Sequence, residues 1–298
     1  MADAVVLLNR SGAVAVRDPD IADKVTAALG SAGIAAEVEL IDGSELEGRA
    51  RVIAERSDPL LIVGGGDGTA AAAASALVGT ETALGILPLG TRNHFARDLG
   101  LPLDLPGAAR LIAARSERRV DVAEMNGRIF INTSAIGLYP LMVVNRDLQR
   151  KRLGRSKRLA MLVASARTLA RFSHRRLTLT VNDERKARLD TPLLFVGNNT
   201  HRLDLGAPGR RERLDDGQLC VLVMRKKTRR GLIAASIRAL FNRTRTDDMV
   251  RIQGVERLRV GSRRSVLAVS LDGEVMRAEP PLDYRIRKRA LRVIAAPI

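Results

Sequence analysis

The residues best suited to chemistry lie in a glycine turn at residues 61–69, LIVGGGDGT. An apolar run ends there in three successive glycines, and an alanine-rich segment follows. A turn without side chains at the start of a helix lets backbone N–H groups close around an anion. Asp67 in the middle of the turn suits metal or hydroxyl chemistry. The turn therefore predicts a site that binds phosphate groups, and kinase activity is the function that it favours.

A second loop, LPLGTRNHFAR at residues 87–97, ends another apolar run. The glycine turn is not a Walker A loop, because no Gly-Lys-Ser/Thr follows it. It is not a dinucleotide fingerprint either, because Thr69 stands at the place of the last glycine. If both turns meet at one edge of a sheet, Thr69, Thr91 and Asn93 would offer hydroxyl and amide partners to a nucleotide. An ordinary turn between a strand and a helix is the structural alternative.

Fifty basic residues against 33 acidic ones give a net charge of +17. Such a charge attracts nucleic acid, anionic lipid or nucleotides, unless it only covers a solvated surface. Aromatic residues are scarce, which disfavours stacking on single-stranded nucleic acid. The lone Cys220 cannot form an internal disulfide, which fits a reducing compartment. Neither the N-terminus nor the longest uncharged stretch, residues 129–145, fits a secretory signal or a membrane span, so we expect a cytoplasmic protein.

Strands and helices alternate in the first part of the chain. The patterns predict strands at residues 4–8, 35–41, 60–63 and 83–88, and helices at residues 21–29, 46–56 and 69–78. This alternation predicts a parallel, doubly wound α/β domain with three layers. The glycine turn then lies at the carboxyl end of a strand, where such sheets bind their ligands.

The pattern changes near residue 120. Short β-rich runs, separated by turn signals such as Asn126-Gly127, predict a second domain that is mostly antiparallel. The runs are residues 120–125, 129–133, 177–181, 193–197, 219–224, 255–260, 266–271 and 291–295. A basic segment with a helical pattern interrupts them at residues 146–171. The predicted domains are therefore residues 1–120 and 121–298.

Six motifs follow one another along nearly the whole chain. They are Asn9-x-Ser-Gly, GGDGT at 65–69, LPLGTRNHFARDLGLPLD at 87–104, VDVAEMNGRIFINTSAIG at 120–137, RLDDGQLCV at 213–221 and LDGE at 271–274. In this set the chain resembles the diacylglycerol kinase catalytic family, in its bacterial soluble lipid kinase branch, which is similar to sphingosine and ceramide kinases. The resemblance implies that ATP and Mg²⁺ lie in a cleft between an α/β domain and a β-sandwich-like lipid-binding domain. It also allows the C-terminal end to pack back on the first domain.

The resemblance implies nucleotide-binding residues in three loops. They are Asn9, Arg10, Ser11 and Gly12 after the first strand, Gly65, Gly66, Asp67, Gly68 and Thr69 in the glycine turn, and Thr91 and Asn93 in the second loop. Asp67 is expected to act catalytically, through Mg²⁺ or a hydrogen-bonded network. The chain departs from the family pattern in two places. The usual proline after Asn9 is absent, and Ala71 and Ala72 stand where many members have Asn and Glu.

Asp272-Gly273-Glu274 is the best candidate for the catalytic chemistry. Carboxylates at positions i and i+2 project to one side of an extended segment. One of them can then hold a metal or orient a neighbour, while the other takes the proton of an attacking hydroxyl. The resemblance points to Glu274 as the proton acceptor, with Asp272 close by. A hairpin turn at Asp-Gly is the structural alternative.

The sequence Leu214-Asp215-Asp216-Gly217 fits a β-turn when it is read alone. The resemblance implies that a structural Mg²⁺ binds there. Asp216 would contribute its side chain, and backbone carbonyls near Arg213 and Gln218 would complete the set of ligands. A hard cation requires such oxygen ligands.

We therefore expect ATP-dependent transfer of the γ-phosphoryl group to a lipid hydroxyl, with diacylglycerol converted to phosphatidic acid. The alternatives are a ceramide or sphingoid lipid kinase, an NAD kinase-like enzyme, and a non-catalytic protein that binds anionic membranes. NAD kinases share GGDGT but leave the motif at residues 87–97 unexplained. The basic segment at residues 146–171 fits peripheral contact with the inner face of the membrane. No nucleic-acid partner is expected, and a homodimer is compatible with the sequence.

Overall fold

The computed structural model describes residues 3–12, 14–56, 58–137, 175–201, 211, 213–224 and 249–297. The chain divides into two compact units. The first consists of Met1–Val122 and Arg287–Ile298, and the second of Ala123–Ile286. The segment at residues 146–171, predicted to be a basic helix, lies outside the described residues.

The first unit is built on parallel strands. Its elements are β1 (Ala4–Asn9), α1 (Ile21–Ser31), β2 (Ala36–Ile41), α2 (Leu46–Glu55), β3 (Leu60–Gly65), α3 (Asp67–Leu77), β4 (Ala83–Pro88), α4 (His94–Asp98) and α5 (Leu105–Ala113). The strands lie in the order β2-β1-β3-β4, and every neighbouring pair is parallel. The loops that follow β1, β3 and β4 therefore leave the sheet at the same edge. No helix within the described ranges is long and apolar enough to cross a bilayer.

Both faces of this sheet are covered. All residues of β3 and β4 are buried, which is typical of parallel strands between two helical layers. Val6 and Ile62 pack in one core with residues of α1 and α5. Leu7 and Val63, which alternate with them, are buried as well, and α2 and α3 pack together on the sheet. The predicted doubly wound α/β architecture is confirmed.

The second unit is built on antiparallel strands. The remaining elements are β5 (Glu117–Met125), β6 (Arg128–Phe130), β7 (Thr133–Gly137), β8 (Arg175–Val181), β9 (Arg185–Thr191), β10 (Leu193–Asn198), β11 (Leu219–Met224), β12 (Met249–Val255), β13 (Arg257–Ser262), β14 (Leu267–Leu271), β15 (Glu274–Ala278) and β16 (Leu282–Ile294). β5 begins in the first unit and β16 ends there. One sheet has the order β12-β11-β10-β7-β14-β15. In the other sheet the first part of β16 pairs with β13, and the order is β16-β13-β8-β9.

The inner faces of these two sheets share one core. Ile136 and Val196 from the six-stranded sheet and Leu179 from the other sheet belong to the same cluster of buried residues. The hydroxyls of Ser134 and Tyr284 also link the sheets, at 3.0 Å. The second unit is therefore a β-sandwich, as the fold prediction required.

Two predicted β runs are interrupted where side chains bind backbone amides. The run at residues 129–133 divides between β6 and β7, because the Asp272 carboxylate accepts three consecutive N–H groups there. The run at residues 255–260 divides between β12 and β13. There the side-chain oxygen of Asn182 accepts two N–H groups, at 3.0 and 3.1 Å. Amides held in this way cannot also bond to a neighbouring strand.

Gly137, the last residue of β7, is tightly restricted by its surroundings. Its φ is +104°, and a Cβ there would lie 2.2 Å from the carbonyl oxygen of Pro192. We predict that Gly137→Ala lowers the free energy of unfolding by roughly 3 kcal/mol, because the methyl group collides with backbone and the conformation is unfavourable for an L-residue. Urea unfolding measures the loss.

Gly127→Ala is the matched control. Gly127 has φ +82°, and no atom lies within 4 Å of the place where its Cβ would be. This substitution should lower the free energy of unfolding by only about 1 kcal/mol, which is the cost of a positive φ for an L-residue without a steric collision. Equal losses in the two variants would contradict the steric explanation.

Candidate functional site

Asn9, at the end of β1, joins two loops at the carboxyl edge of the parallel sheet. Its Nδ2 donates to the Thr69 hydroxyl at 3.1 Å, and its Oδ1 accepts from the N–H and the hydroxyl of Ser11 at 3.1 and 2.8 Å. The N–H of Gly12 donates to the Asn9 carbonyl at 2.9 Å, and a Cβ at Gly12 would lie equally close to that oxygen. Asn9 thus fixes the first turn beside the glycine turn.

The glycine turn and the second loop touch backbone to backbone. A Cβ at Gly65 would lie 2.3 Å from the Thr69 hydroxyl oxygen, and a Cβ at Gly90 would lie 2.3 Å from the Cα of Gly66. α3 begins directly after Gly66, at Asp67. The first N–H groups of a helix have no partner within the helix and attract anions. The turn therefore presents backbone donors at an edge where side chains are excluded.

Asn93 holds the second loop from within. The residue is buried and has a φ of 52°. Its Nδ2 donates to the carbonyls of Pro88 and Gly90, both at 2.9 Å, and its Oδ1 accepts from the N–H of Gly90 at 3.0 Å. These bonds use the amide that the sequence suggested for nucleotide binding. The geometry gives Asn93 a loop-fixing role.

Asp67 connects the glycine turn with α4. Its Oδ1 accepts from the N–H of Phe95 at 3.0 Å. The sequence suggested that Asp67 acts through a metal or through a hydrogen-bonded network, and this contact is of the second kind. Within the described ranges Oδ2 makes no hydrogen bond, so one carboxylate oxygen is open to a ligand.

Four of the predicted nucleotide-binding residues are exposed: Arg10, Ser11, Gly68 and Thr91. Arg10 donates to the carbonyl of Leu40 at 3.2 Å. A ligand can reach these four residues. The other predicted members of the set form the frame that holds them.

The predicted catalytic motif is a hairpin turn. Asp272 and Gly273 have φ values of 46° and 92°, and Leu271 pairs with Glu274 across the turn between β14 and β15. Asp272 and Glu274 would project to one side only in an extended segment, and this condition is not met, because Asp-Gly adopts the alternative, a tight turn with positive φ at both positions. Glu274 is exposed, and its side chain has no hydrogen bond or ion pair within the described part of the chain.

The Asp272 carboxylate binds three backbone N–H groups. Its Oδ2 accepts from Ile131, and its Oδ1 accepts from Asn132 and Thr133, all at 2.8 Å. Burial raises the pKa of this carboxyl, and the three N–H donors and the positive charge of Arg211 oppose that rise. Because both oxygens are occupied, Asp272 is poorly placed to accept a proton from a substrate. In this geometry it fixes the turn that carries Glu274.

Arg211 lies behind the same segment, and sequence reasoning missed it. The residue is 5% exposed. Its guanidinium donates to the Ile131 carbonyl, to the Asn132 side-chain oxygen at 3.1 Å and to the Asn198 carbonyl at 3.4 Å. Ile131 therefore donates to a carboxylate through its N–H and accepts from a guanidinium through its carbonyl. The sequence contains many arginines, and nothing in the residues around Arg211 distinguishes it as one that binds backbone inside the protein.

The residues suggested for a structural Mg²⁺ fit a cation only in part. Asp216 Oδ2 accepts from the N–H of Thr200 at 3.1 Å, and its Oδ1 lies 3.7 Å from Nε of Arg213. The side-chain oxygen of Gln218 accepts from the N–H of Gly254 at 3.3 Å. Carboxylate oxygen suits Mg²⁺, but a cation at Oδ1 has to displace the guanidinium. The described residues contain no group of three His, Cys, Asp or Glu side chains able to hold a metal, so this site stays a prediction.

His201 is a buried histidine beside these residues. Its Nδ1 lies 3.0 Å from the Asn199 carbonyl, and Arg251 donates to the His201 carbonyl at 2.7 Å. Burial, and after it the charges of Arg211 and Arg251, lower the pKa of His201 to about 3, against the opposing effect of the Asn199 carbonyl. The imidazole is therefore neutral at physiological pH.

Two protein-family models match the chain. The model of the diacylglycerol kinase catalytic domain matches residues 3–125. The model of the YegS C-terminal NAD kinase beta sandwich-like domain matches residues 142–295, more than half of the chain. Together they follow the order of the motifs from the first strand to the last.

Curated relatives align over shorter stretches. A Pseudomonas aeruginosa protein named probable lipid kinase YegS-like is 40% identical over 95 residues, which are 31% of this chain and 31% of that protein. A diacylglycerol kinase of Staphylococcus haemolyticus is 39% identical over 100 residues, 32% of this chain and 30% of that protein. The aligned part thus spans about a third of the length of these relatives.

Solved structures are similar over almost the full length. A crystal structure of a diacylglycerol kinase from Bacillus anthracis has a TM-score of 0.68 at 19% identity, and another from the same organism has 0.76 at 22%. Both comparisons cover 99% of this chain and 97% of the other. At these identities the likeness supports the fold alone.

The different surroundings of Asn93 and Thr91 lead to a paired prediction. Asn93→Ala removes three hydrogen bonds of a buried amide and should lower the free energy of unfolding by about 2 kcal/mol. Thr91→Ala removes an exposed hydroxyl, and it should leave stability unchanged while weakening nucleotide binding severalfold. Urea unfolding and nucleotide titration by calorimetry measure the two effects. A Thr91 variant with full nucleotide affinity would exclude this hydroxyl from the site.

The lowered pKa of His201 predicts a pH dependence of stability. The folded protein binds fewer protons than the unfolded chain between the ordinary pKa of 6.5 and the folded value of about 3. The contribution of the neutral imidazole is therefore complete above the higher value and is lost as the pH falls towards the lower one. Urea unfolding between these limits should show a steeper loss in the wild type than in His201→Gln, by up to about 1.4 kcal/mol per pH unit. Parallel curves would show that another group is responsible.

Proposed function

The chain belongs to the diacylglycerol kinase catalytic-domain family, and we propose that it is an ATP-dependent lipid kinase that converts diacylglycerol to phosphatidic acid. The observation that carries this proposal is the fixed pair of glycine loops. The backbone of Gly66 lies against Gly90, and Asn9, Asp67 and Asn93 hold the loops around the open N-terminus of α3. The names of the aligned relatives, lipid kinase and diacylglycerol kinase, support the same substrate class.

On this proposal the phosphates of ATP bind at the carboxyl edge of the parallel sheet. The first N–H groups of α3 bind phosphate oxygens, the exposed hydroxyl of Thr91 donates to them, and Arg10 adds positive charge. Ser11 is exposed beside them, and its hydroxyl donates to Oδ1 of Asn9. Mg²⁺, when bound, would neutralise charge that develops on the transferring group. Asp67 is the residue to hold it, because its Oδ2 is open while its Oδ1 is anchored on Phe95.

Glu274 is the proposed general base. The residue is exposed at the start of β15, next to a turn that Asp272 fixes on three backbone N–H groups. As the lipid oxygen bonds to the γ-phosphorus, Glu274 takes the proton of that hydroxyl and ADP leaves. Asp272 is a positioning residue on this proposal, and Arg211 supports the segment that Asp272 binds.

A panel of acceptors tests the proposed function. The protein is incubated with labelled ATP and Mg²⁺, and with diacylglycerol, ceramide, sphingosine or NAD in separate reactions. We expect label in phosphatidic acid. Label in a ceramide or sphingoid product would keep the lipid kinase and change its acceptor. Label only in NAD, or in no product, would refute the lipid kinase proposal.

Substitution of the two hairpin carboxylates separates chemistry from positioning. Glu274→Gln should lower kcat by roughly 100-fold to 10,000-fold, because general-base catalysis is lost, while nucleotide binding and stability remain. Asp272→Asn should lower the free energy of unfolding by about 2 kcal/mol, because an amide NH₂ meets backbone donors. Steady-state kinetics and urea unfolding of both variants measure this. Full turnover in Glu274→Gln would eliminate it as the base.

A further inference from the structure

A set of exposed basic residues lies on the outward face of β8 and β9 and on the loop after β13. Alternate residues of β8 are buried in the core, so Arg176 faces outward. Lys186 and Arg188 of β9 lie opposite Thr180 and Thr178, which share that face. We name this set the basic face, and its members are Arg176, Lys186, Arg188, Arg263 and Arg264.

Two arginines of the basic face lie near the arginines at the start of β8. β13 pairs antiparallel with β8 as far as Ser262, which lies opposite Leu177. Arg263 and Arg264 follow directly, in the bend after β13 and near the start of β8. Burial and, second to it, the charge of Arg264 lower the pKa of the half-buried Arg175. Like charges that lie close together repel one another. A bound anionic surface would relieve this repulsion.

Other arginines of the same sheet are neutralised by carboxylates. Arg257 forms an ion pair with Asp183 at 2.9 Å, and Arg259 forms one with Asp283 at 2.6 Å. The members of the basic face form no ion pair with any residue in the described part of the chain, although Asp190 lies opposite Arg176 in the register. Positive charge is therefore concentrated at this end of the sheet.

We propose that the basic face docks the protein on an anionic lipid surface. The proposal deepens the proposed function, since it gives a lipid kinase its contact with the bilayer that holds the substrate. Guanidinium groups bind phosphate and carboxylate groups of lipids in a forked geometry, and a sheet face presents several of them side by side. β8 and β9 contain no aromatic residue on which a nucleic-acid base could stack.

Vesicle binding without ATP tests the proposal independently of kinase activity. The probe is sedimentation with vesicles of phosphatidylcholine alone or mixed with phosphatidylserine. We expect binding to the anionic vesicles only, and weaker binding at high salt. Each basic residue near such a surface strengthens partition about fivefold, so the triple variant Arg176→Gln, Arg263→Gln, Arg264→Gln should lose roughly 100-fold.

The matched control removes the same charge from the first unit. Arg17, Arg56 and Arg110 are exposed there, and the triple variant with glutamine at these positions has the same net charge as the test variant. We expect it to keep wild-type binding within about threefold, because its charges lie outside the docking face. Both variants change exposed side chains only, and thermal unfolding checks that each is folded.

The outcomes distinguish the proposal from its competitors. Equal losses in the two variants would show that net charge alone drives binding and would overturn the assignment. Unchanged binding in the test variant would also overturn it. Binding of duplex DNA or RNA that depends on the basic face, with no binding to vesicles, would replace the lipid surface by nucleic acid. A protein that binds vesicles through this face but phosphorylates no lipid would refute the proposed function and leave the docking surface standing.

Discussion

The candidate site of the first unit depends on a contact between two backbones with no side chain between them. β3 and β4 are neighbouring parallel strands that pair as far as Gly65 and Pro88. Neighbouring strands lie only about 4.8 Å apart, so the loops that follow them leave the sheet in contact. A Cβ at Gly90 would lie 2.3 Å from the Cα of Gly66. Gly66 and Gly90 therefore allow the two loops to touch, so that α3 begins at this edge with its first N–H groups accessible.

The second unit fixes its loop with two charged side chains instead. Asp272 accepts from the N–H groups of one short segment, and Arg211 donates to the carbonyl of Ile131 in the same segment. The first unit follows the same principle with Asn93, whose amide binds only backbone. In both units the side chains that bind backbone form the frame, and the exposed neighbour, Thr91 or Glu274, remains for a ligand. Buried polar groups need their partners inside the protein, and this explains the division of roles.

The fold class could be predicted from the sequence because its signals are local. The apolar runs of β3 and β4 and the alternation of strands with helices need no tertiary information. β9 escaped prediction because it is an edge strand with mostly polar residues, RKARLDT. α4 is a single short turn, and its first residue follows a left-handed Asn93. Such elements form because of their neighbours, and propensity does not reveal them.

The sequence predicted which residues lie at the candidate site better than it predicted what each residue does there. The spacing of Asp272 and Glu274 in the sequence does not reveal which backbone groups the Asp272 carboxylate binds, so the turn at Asp272 could not be distinguished from an extended segment. Its partners lie about 140 residues earlier in the chain, at Ile131 and the two residues that follow. Arg211 belongs to none of the sequence motifs, because its role depends on its burial against Ile131 in the folded protein. Both failures concern contacts between residues far apart in sequence.

The alanines after the glycine turn sharpen the role of Asp67. Many members of the family have Asn and Glu there, whereas Ala71 and Ala72 are half-buried in α3 and offer no polar group. Asp67 is the acidic residue of the first turn of this helix. On the proposed function, one carboxylate oxygen of Asp67 and the phosphates of the nucleotide would hold Mg²⁺ together. The affinity of the turn for Mg²⁺ is therefore expected to rise when the nucleotide binds, since a single carboxylate oxygen is a weak site for this cation.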